Sequence, residues 1–275
     1  MPAQLHHERI AREGQAPTRW LLMTHGIYGA GSNWRAIARK VNERRPEWGV
    51  ILVDLRQHGR SEPGEPPHTL AACADDILAL TTLLASAGTP VRALAGHSFG
   101  GKVMLAARAR VDVAQTWMFD STPSARPNDL DDPTNSVTRV LGVLERMSGR
   151  AWDKRDDFIA AVVAEGEQLG LAQWLGMNVV PDASGVLRLR LDTVALRAML
   201  ADYYAQDLWS TLEDPARGRM ELVVADRAPV FGPADRARLV TLPPHVHVHH
   251  LDAGHWLHIE APGAVVELLA SELRD

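Results

Sequence analysis

A chain of 275 residues, 46% apolar and 23% charged, can bury about three-quarters of its unfolded surface, as one large α/β domain or two small ones. Its net charge of −5 excludes the basic face that general nucleic-acid binding requires. The single cysteine, Cys73, permits no intramolecular disulfide, and no run of about 18 apolar residues offers a membrane span.

Residues 6–9 at the front of the chain lack the apolar core of a signal peptide, so a cytoplasmic setting is expected. Residues 5–10 read as a weak edge strand. The run Trp20-Leu21-Leu22-Met23 is continuously apolar, as in a parallel strand covered on both faces. It leads into a glycine-rich loop, residues 24–31, whose N–H groups can turn towards an anion, although the spacing is not that of a dinucleotide fingerprint. Ser32 is placed to cap a helix over 33–42, where Trp34, Ile37 and Val41 fall at helical spacing. Residues 49–53 predict a second buried strand, ending in a polar loop in which Asp54, Arg56 and Arg60 are expected to brace the chain. A helix over 70–87 follows, with Cys73 as a small buried side chain.

The next strand, 91–95, runs into Gly96-His97-Ser98-Phe99-Gly100-Gly101 and then a helix over 102–110. A strained strand-to-helix turn needs neighbours without side chains, which Gly96 and Gly100 supply around Ser98. The serine hydroxyl then stands at the sheet edge over a helix N-terminus, whose free N–H groups favour an oxyanion. Residues 116–120 form another buried strand, ending on Asp120. From 121 to about 215 the alternation stops, and helices are expected over 137–147, 155–169 and 193–204, with a hairpin arm near 187–191. Trp152, Trp174, Tyr203, Tyr204 and Trp209 supply apolar bulk there, some of it for substrate. Strands at 221–226 and 246–251, a helix over 233–240 between them and a last helix over 263–273 close the chain. Strands alternating with helices imply a parallel sheet with helices on both faces, which binds ligands beyond the strands' carboxyl ends.

A serine becomes a nucleophile when a base takes its proton and an acid holds that base in the right tautomer. The chain offers Ser98, then an acid at a strand end, then His255 in the loop after the last strand, with the N–H groups of Phe99 and Ile27 as an oxyanion hole. His245, His247 and His249 alternate on the last strand, as metal ligands can, but with no cysteine or carboxylate cluster beside them a solvated face and no metal are expected. His97 and His258 are expected to pack loops.

The series His25-Gly26-Ile27-Tyr28-Gly29, Asp54-Leu55-Arg56-x-x-Gly59-Arg60-Ser61, Gly96-His97-Ser98-Phe99-Gly100-Gly101 and Gly254-His255-Trp256 resembles the signatures of the α/β-hydrolase superfamily. The likeness spans nearly the whole chain and is similar to small bacterial carboxylesterases and thioesterases with a short helical lid. It implies an α/β-hydrolase fold, a mostly parallel, doubly wound sheet with a helical cap inserted after the sixth strand. Residues 1–120 and 216–275 would form the core domain and 121–215 the cap. It implies hydrolysis of a small ester or thioester through an acyl-enzyme, with no cofactor. Acyl transfer, perhydrolysis or carbon–carbon hydrolysis by the same triad are alternatives, as is a non-catalytic ligand-binding protein; the oligomeric state is open. One departure concerns the acid. The family's usual position after its seventh strand falls on Ala228, before Pro229, with Asp226 two residues earlier. Asp120, after the preceding strand, is where some members carry the acid, and is favoured over Asp226.

Overall fold

The computed structural model describes residues 1–274. The first half of the chain runs β1 (His7–Ile10), β2 (Arg19–Thr24), a 3₁₀ turn (Gly31–Trp34), α1 (Arg35–Arg44), β3 (Trp48–Val53), α2 (Leu70–Ser86), β4 (Val91–His97), α3 (Phe99–Arg108) and β5 (Gln115–Phe119). After a further 3₁₀ turn come α4 (Ser136–Met147), β6 (Ala151–Trp152), α5 (Arg155–Ala164), α6 (Leu169–Gly176), β7 (Val179–Pro181), β8 (Leu187–Leu189), α7 (Thr193–Ala205) and α8 (Trp209–Leu212). The chain then returns through β9 (Arg219–Ala225), α9 (Pro233–Leu239), β10 (Val246–Leu251), α10 (Leu257–Glu260) and α11 (Pro262–Glu272).

Among the described residues, seven strands form one sheet in the order β1-β3-β2-β4-β5-β9-β10, parallel except for β1, which runs antiparallel to β3. This is the mostly parallel sheet that the alternation of strands and helices implied. Side chains of β2 and β3 alternate between two cores, because both faces are covered. Leu22, Ile51 and Val53 join one core with residues of α2 and α3, while Leu21, Met23, Val50 and Leu52 join the other with residues of α1 and α11. Cys73 lies fully buried in the first of these, where burial pushes its thiol up to about 12.

Local readings differ from the structure at four points. Ser32 does not cap α1, since the 3₁₀ turn starts before it and Asn33 Oδ1 takes the Ala30 N–H instead, at 2.8 Å. The helix expected over 155–169 splits into α5 and α6 around Gly166, whose φ of +96° no helix accommodates. The hairpin arm is part of a small antiparallel sheet, order β6-β8-β7. His249 is only partly solvated, because Nε2 lies 2.6 Å from the buried Glu221 carboxylate and its ring stacks on Trp117. No group of three His, Cys, Asp or Glu able to hold a metal occurs among the described residues, nor a helix long and apolar enough to cross a membrane.

The excursion expected after the sixth strand follows β5, the fifth strand of this chain. After β5 the chain leaves the sheet, and it rejoins at β9. The connections from β2 go to β3 on one side and come back to β4 on the other. The sheet order therefore reverses between β2 and β4, and a crevice opens at their carboxyl ends.

Candidate active site

Both loops bordering that crevice carry unusual backbone. Ser98, between β4 and α3, has φ 52° and ψ −119°, a conformation that L side chains rarely adopt and that persists only where the surroundings hold it. The neighbouring glycines make it possible by letting three elements touch. A Cβ on Gly96 would stand 2.1 Å from the Gly100 carbonyl oxygen, and one on Gly100 would stand 2.3 Å from the His25 carbonyl oxygen. The Ser98 N–H is taken by Phe119 O at 2.9 Å, which ties the turn to β5. Phe99 opens α3, so its N–H is among those that a helix leaves without an internal partner.

His255 reaches this turn from the loop after β10. Its Nε2 is 3.1 Å from Ser98 Oγ, and its Nδ1 is 2.7 Å from Asp120 Oδ2. A carboxylate only accepts, so Nδ1 carries the proton and Nε2 is left to accept from the hydroxyl. Asp120 is fully buried directly after β5, with φ 44°, another strained residue. Its other oxygen, Oδ1, accepts the Ala225 N–H at 3.1 Å, and its own N–H donates to Val223 O at 2.8 Å, so β9 fixes its orientation. Asp226 stands elsewhere. Its exposed carboxylate bonds to His250 Nδ1 at 2.8 Å and faces Arg236. The arrangement thus joins Ser98, His255 and Asp120 in one relay and leaves Asp226 outside it.

Four further histidines shape the site, and the sequence did not distinguish their tasks. His97 Nε2 donates to the His255 carbonyl at 2.8 Å, and its ring packs against those of His255, Trp34 and His258. Burial first, then the neighbouring His255 and His258, hold His97 well below its ordinary value, while burial and His255 bring His258 to about 4. On the other side of the crevice, His25 Nδ1 donates to Gly26 O at 2.7 Å and its Nε2 accepts the Leu55 N–H at 3.1 Å. His58, not singled out by the sequence, donates through Nδ1 to Arg56 O and accepts the Tyr28 N–H at 3.1 Å. An imidazole that accepts must be neutral, in keeping with burial lowering His25 and burial plus His25 lowering His58 to about 3. With Asn178 holding Tyr28 O at 3.0 Å, the loop is clamped on both sides of Ile27, which lines the cleft. The signal for His58 was its place in the Asp54–Ser61 loop, at the same sheet edge.

That loop's other polar residues brace it. Asp54 accepts the N–H groups of Gly31 and Arg60 at 2.7 and 2.8 Å, and Arg56 makes a two-pronged, buried ion pair with Asp76 at 2.6 and 2.8 Å. The Arg60 side chain itself is exposed. The cleft over Ser98 is walled by Ile27, Tyr28, Phe99, Val140, Leu171, Trp174, Leu200, Tyr203, Tyr204 and Trp256. One polar corner, Arg126 with Asp129, Asp132, Thr134, Asn135 and Ser136, interrupts the apolar wall. Of the aromatic residues expected in this region, Trp174, Tyr203 and Tyr204 line the cleft. Trp152 instead packs edge-on to Phe158, and Trp209 donates to Ser124 Oγ at 2.7 Å.

A model of the α/β hydrolase family matches residues 21–268. The sn-1-specific diacylglycerol lipase ABHD11 of Mus musculus is 26% identical over 268 residues, covering 95% of this chain and 83% of its own. Esterase YbfF of Escherichia coli (strain K12) is 26% identical over 263 residues, covering 93% of each chain. The solved structure of a marine microorganism esterase superposes with a TM-score of 0.82 at 21% identity, over 98% of this chain and all of that one, which shows a shared fold. A matched family model over nine-tenths of the residues, on a sheet with this strand order, places the chain in the α/β-hydrolase family.

Proposed function

We propose that this protein is a serine hydrolase that cleaves small carboxylic esters or thioesters through an acyl-enzyme. The observation that carries the reading is the unbroken relay from Ser98 Oγ through His255 to the buried Asp120. The relatives named as a lipase and an esterase support the substrate class.

In this reading Ser98 Oγ attacks the acyl carbon while its proton passes to His255 Nε2. Asp120 holds the imidazole in the accepting tautomer and stabilises the imidazolium as it forms. The carbonyl oxygen becomes an oxyanion, taken up by the N–H groups of Phe99 and Ile27; donors fixed in place before the charge arrives lower the barrier most. His255 then gives its proton to the leaving alcohol or thiol. Water, deprotonated by the same imidazole, attacks the acyl-enzyme and restores Ser98. Residues 121–215 act as a cap whose apolar wall receives the acyl group, and the rest of the chain forms the core domain. No step requires a metal or a cofactor.

The test is chemical. A fluorophosphonate should label the wild-type protein at Ser98, read by peptide mass spectrometry. Ser98→Ala should lose the labelling and on the order of 10⁴-fold or more in turnover of a chromogenic acetyl ester. Labelling at another residue, or near-normal turnover by the folded variant, would overturn the assignment.

A further inference from the structure

The chemistry just described leaves unused two cations of α3, Lys102 and Arg108, which are 1% and 0% exposed. Lys102 Nζ donates to three main-chain carbonyls, of Ser124 at 2.9 Å, Tyr203 at 2.8 Å and Gln206 at 2.6 Å. An ammonium has three N–H donors, so donors and acceptors match one for one. Among the described residues Lys102 has no carboxylate ion pair. The charges around it are Arg126, which repels, and Asp202, Asp207 and Asp235, which attract, while the Tyr203 ring lies 4.8 Å from Nζ. Arg108 behaves alike, donating to the carbonyls of Thr211 and Gly218, both at 2.6 Å, and of Asp214 at 3.3 Å.

The carbonyls around Lys102 come from two stretches far apart in sequence. Ser124 lies just beyond Asp120, where the chain departs from the sheet, whereas Tyr203 and Gln206 close α7, where it turns back. Tyr203 also stacks against Phe99 at 5.5 Å and walls the cleft. We propose that Lys102 is a positioning residue whose ammonium ties the outgoing and returning ends of the cap to the helix that follows Ser98, and so holds the acyl-binding wall at Tyr203 in register with the reacting serine. This rests on residues 121–215 being a cap, and not on Ser98 being the nucleophile.

The clamp depends on charge. Burial, and then the repulsion of Arg126, lower the Lys102 ammonium to about 8. A neutral amine has two N–H donors and a lone pair, so one of the three carbonyls would then face a lone pair. The clamp is complete below pH 8 and slackens as pH rises through it.

Two measurements test this on the full chain. In wild type, KM for an octanoyl nitrophenyl ester should rise between pH 7 and 9 while KM for the acetyl ester stays level. Lys102→Met should show the raised octanoyl KM at both pH values, about tenfold above wild type at pH 7, with no step between them. The second measurement needs no Lys102 variant and is made on Ser98→Ala, so it does not depend on turnover. Amide exchange, corrected for its intrinsic pH dependence, should lose protection together at residues 121–126 and 203–207 between pH 7 and 9, while β4 stays protected. A folded Lys102→Met with wild-type KM and pH profile overturns the proposal, and so does exchange that stays unchanged at both cap ends. A Ser98 that proves not to be the nucleophile would show in the labelling experiment and leave the exchange result standing.

Discussion

Asp120 and Asp226 both stand at strand ends on the same edge of the sheet, yet their surroundings are opposite. Asp120 has no solvent contact and spends its oxygens on His255 and the Ala225 N–H, whereas Asp226 is exposed and bonded to His250. Asp120→Asn should therefore keep the packing but present an amide that favours the wrong imidazole tautomer, with a loss on the order of 10⁴-fold in kcat at neutral pH. Asp226→Asn should change kcat by less than about twofold, as surface substitutions away from such networks do. Steady-state kinetics of both variants on one chromogenic ester decides it, and the reverse ranking would remove Asp120 from the relay. The candidate serine and histidine were plain in the sequence, since glycine spacing and a glycine-flanked histidine leave a pattern. It left the acid open between two candidates because both are short acids after apolar runs. Only the third dimension separates them, through the ring that each carboxylate meets, His255 for Asp120 and His250 for Asp226. The same limit hid the tasks of His58 and His97, whose roles are set by which main-chain atom each ring meets.

At the scale of elements, the strands and helices of the sheet were readable from continuous apolar runs and helical spacing, because burial on both faces leaves so strong a pattern. The segment between β5 and β9 was less so. Its strands are two or three residues long, too short for any period to register, and the break between α5 and α6 turns on one glycine. That segment nevertheless supplies most of the cleft wall. Trp174 of α6 meets Trp256 of the His255 loop edge-on, with ring centres 4.8 Å apart, so it joins α6 to that loop in the cleft wall. Trp174→Ala should open that wall and raise kcat/KM for bulky acyl esters relative to acetyl by roughly tenfold. A panel of nitrophenyl esters of increasing acyl length measures the ratio, and an unchanged ratio would mean that α6 does not shape acyl selection.

For the molecule as a whole, three buried histidines and the half-buried His258 set the acid limit of stability. His25, His58, His97 and His258 are all lowered by burial, His58 to about 3 and His258 to about 4. The unfolded chain takes up protons near pH 6.5, whereas the native state refuses them until much lower pH. The unfolded state thus binds more protons, and stability rises with pH across that window. The contribution is complete above about pH 6.5 and is lost as pH falls towards 4 for His258 and 3 for His58. Each such group steepens the loss by up to about 1.4 kcal/mol per pH unit. Urea midpoints at pH 7, 6 and 5 should fall in sequence, and a flat series would show that these rings accept protons while folded. The order in which the site's parts are made carries a consequence of its own. Ser98 and its strained turn come from the first half of the chain, Asp120 is oriented by β9, and His255 follows β10, which pairs with β9. A nascent or truncated chain holding the serine but not the last strand owns a hydroxyl with nothing to deprotonate it. In the proposed mechanism the serine is chemically silent until the last strand of the sheet has docked, so activity would report completed folding and not merely the presence of Ser98.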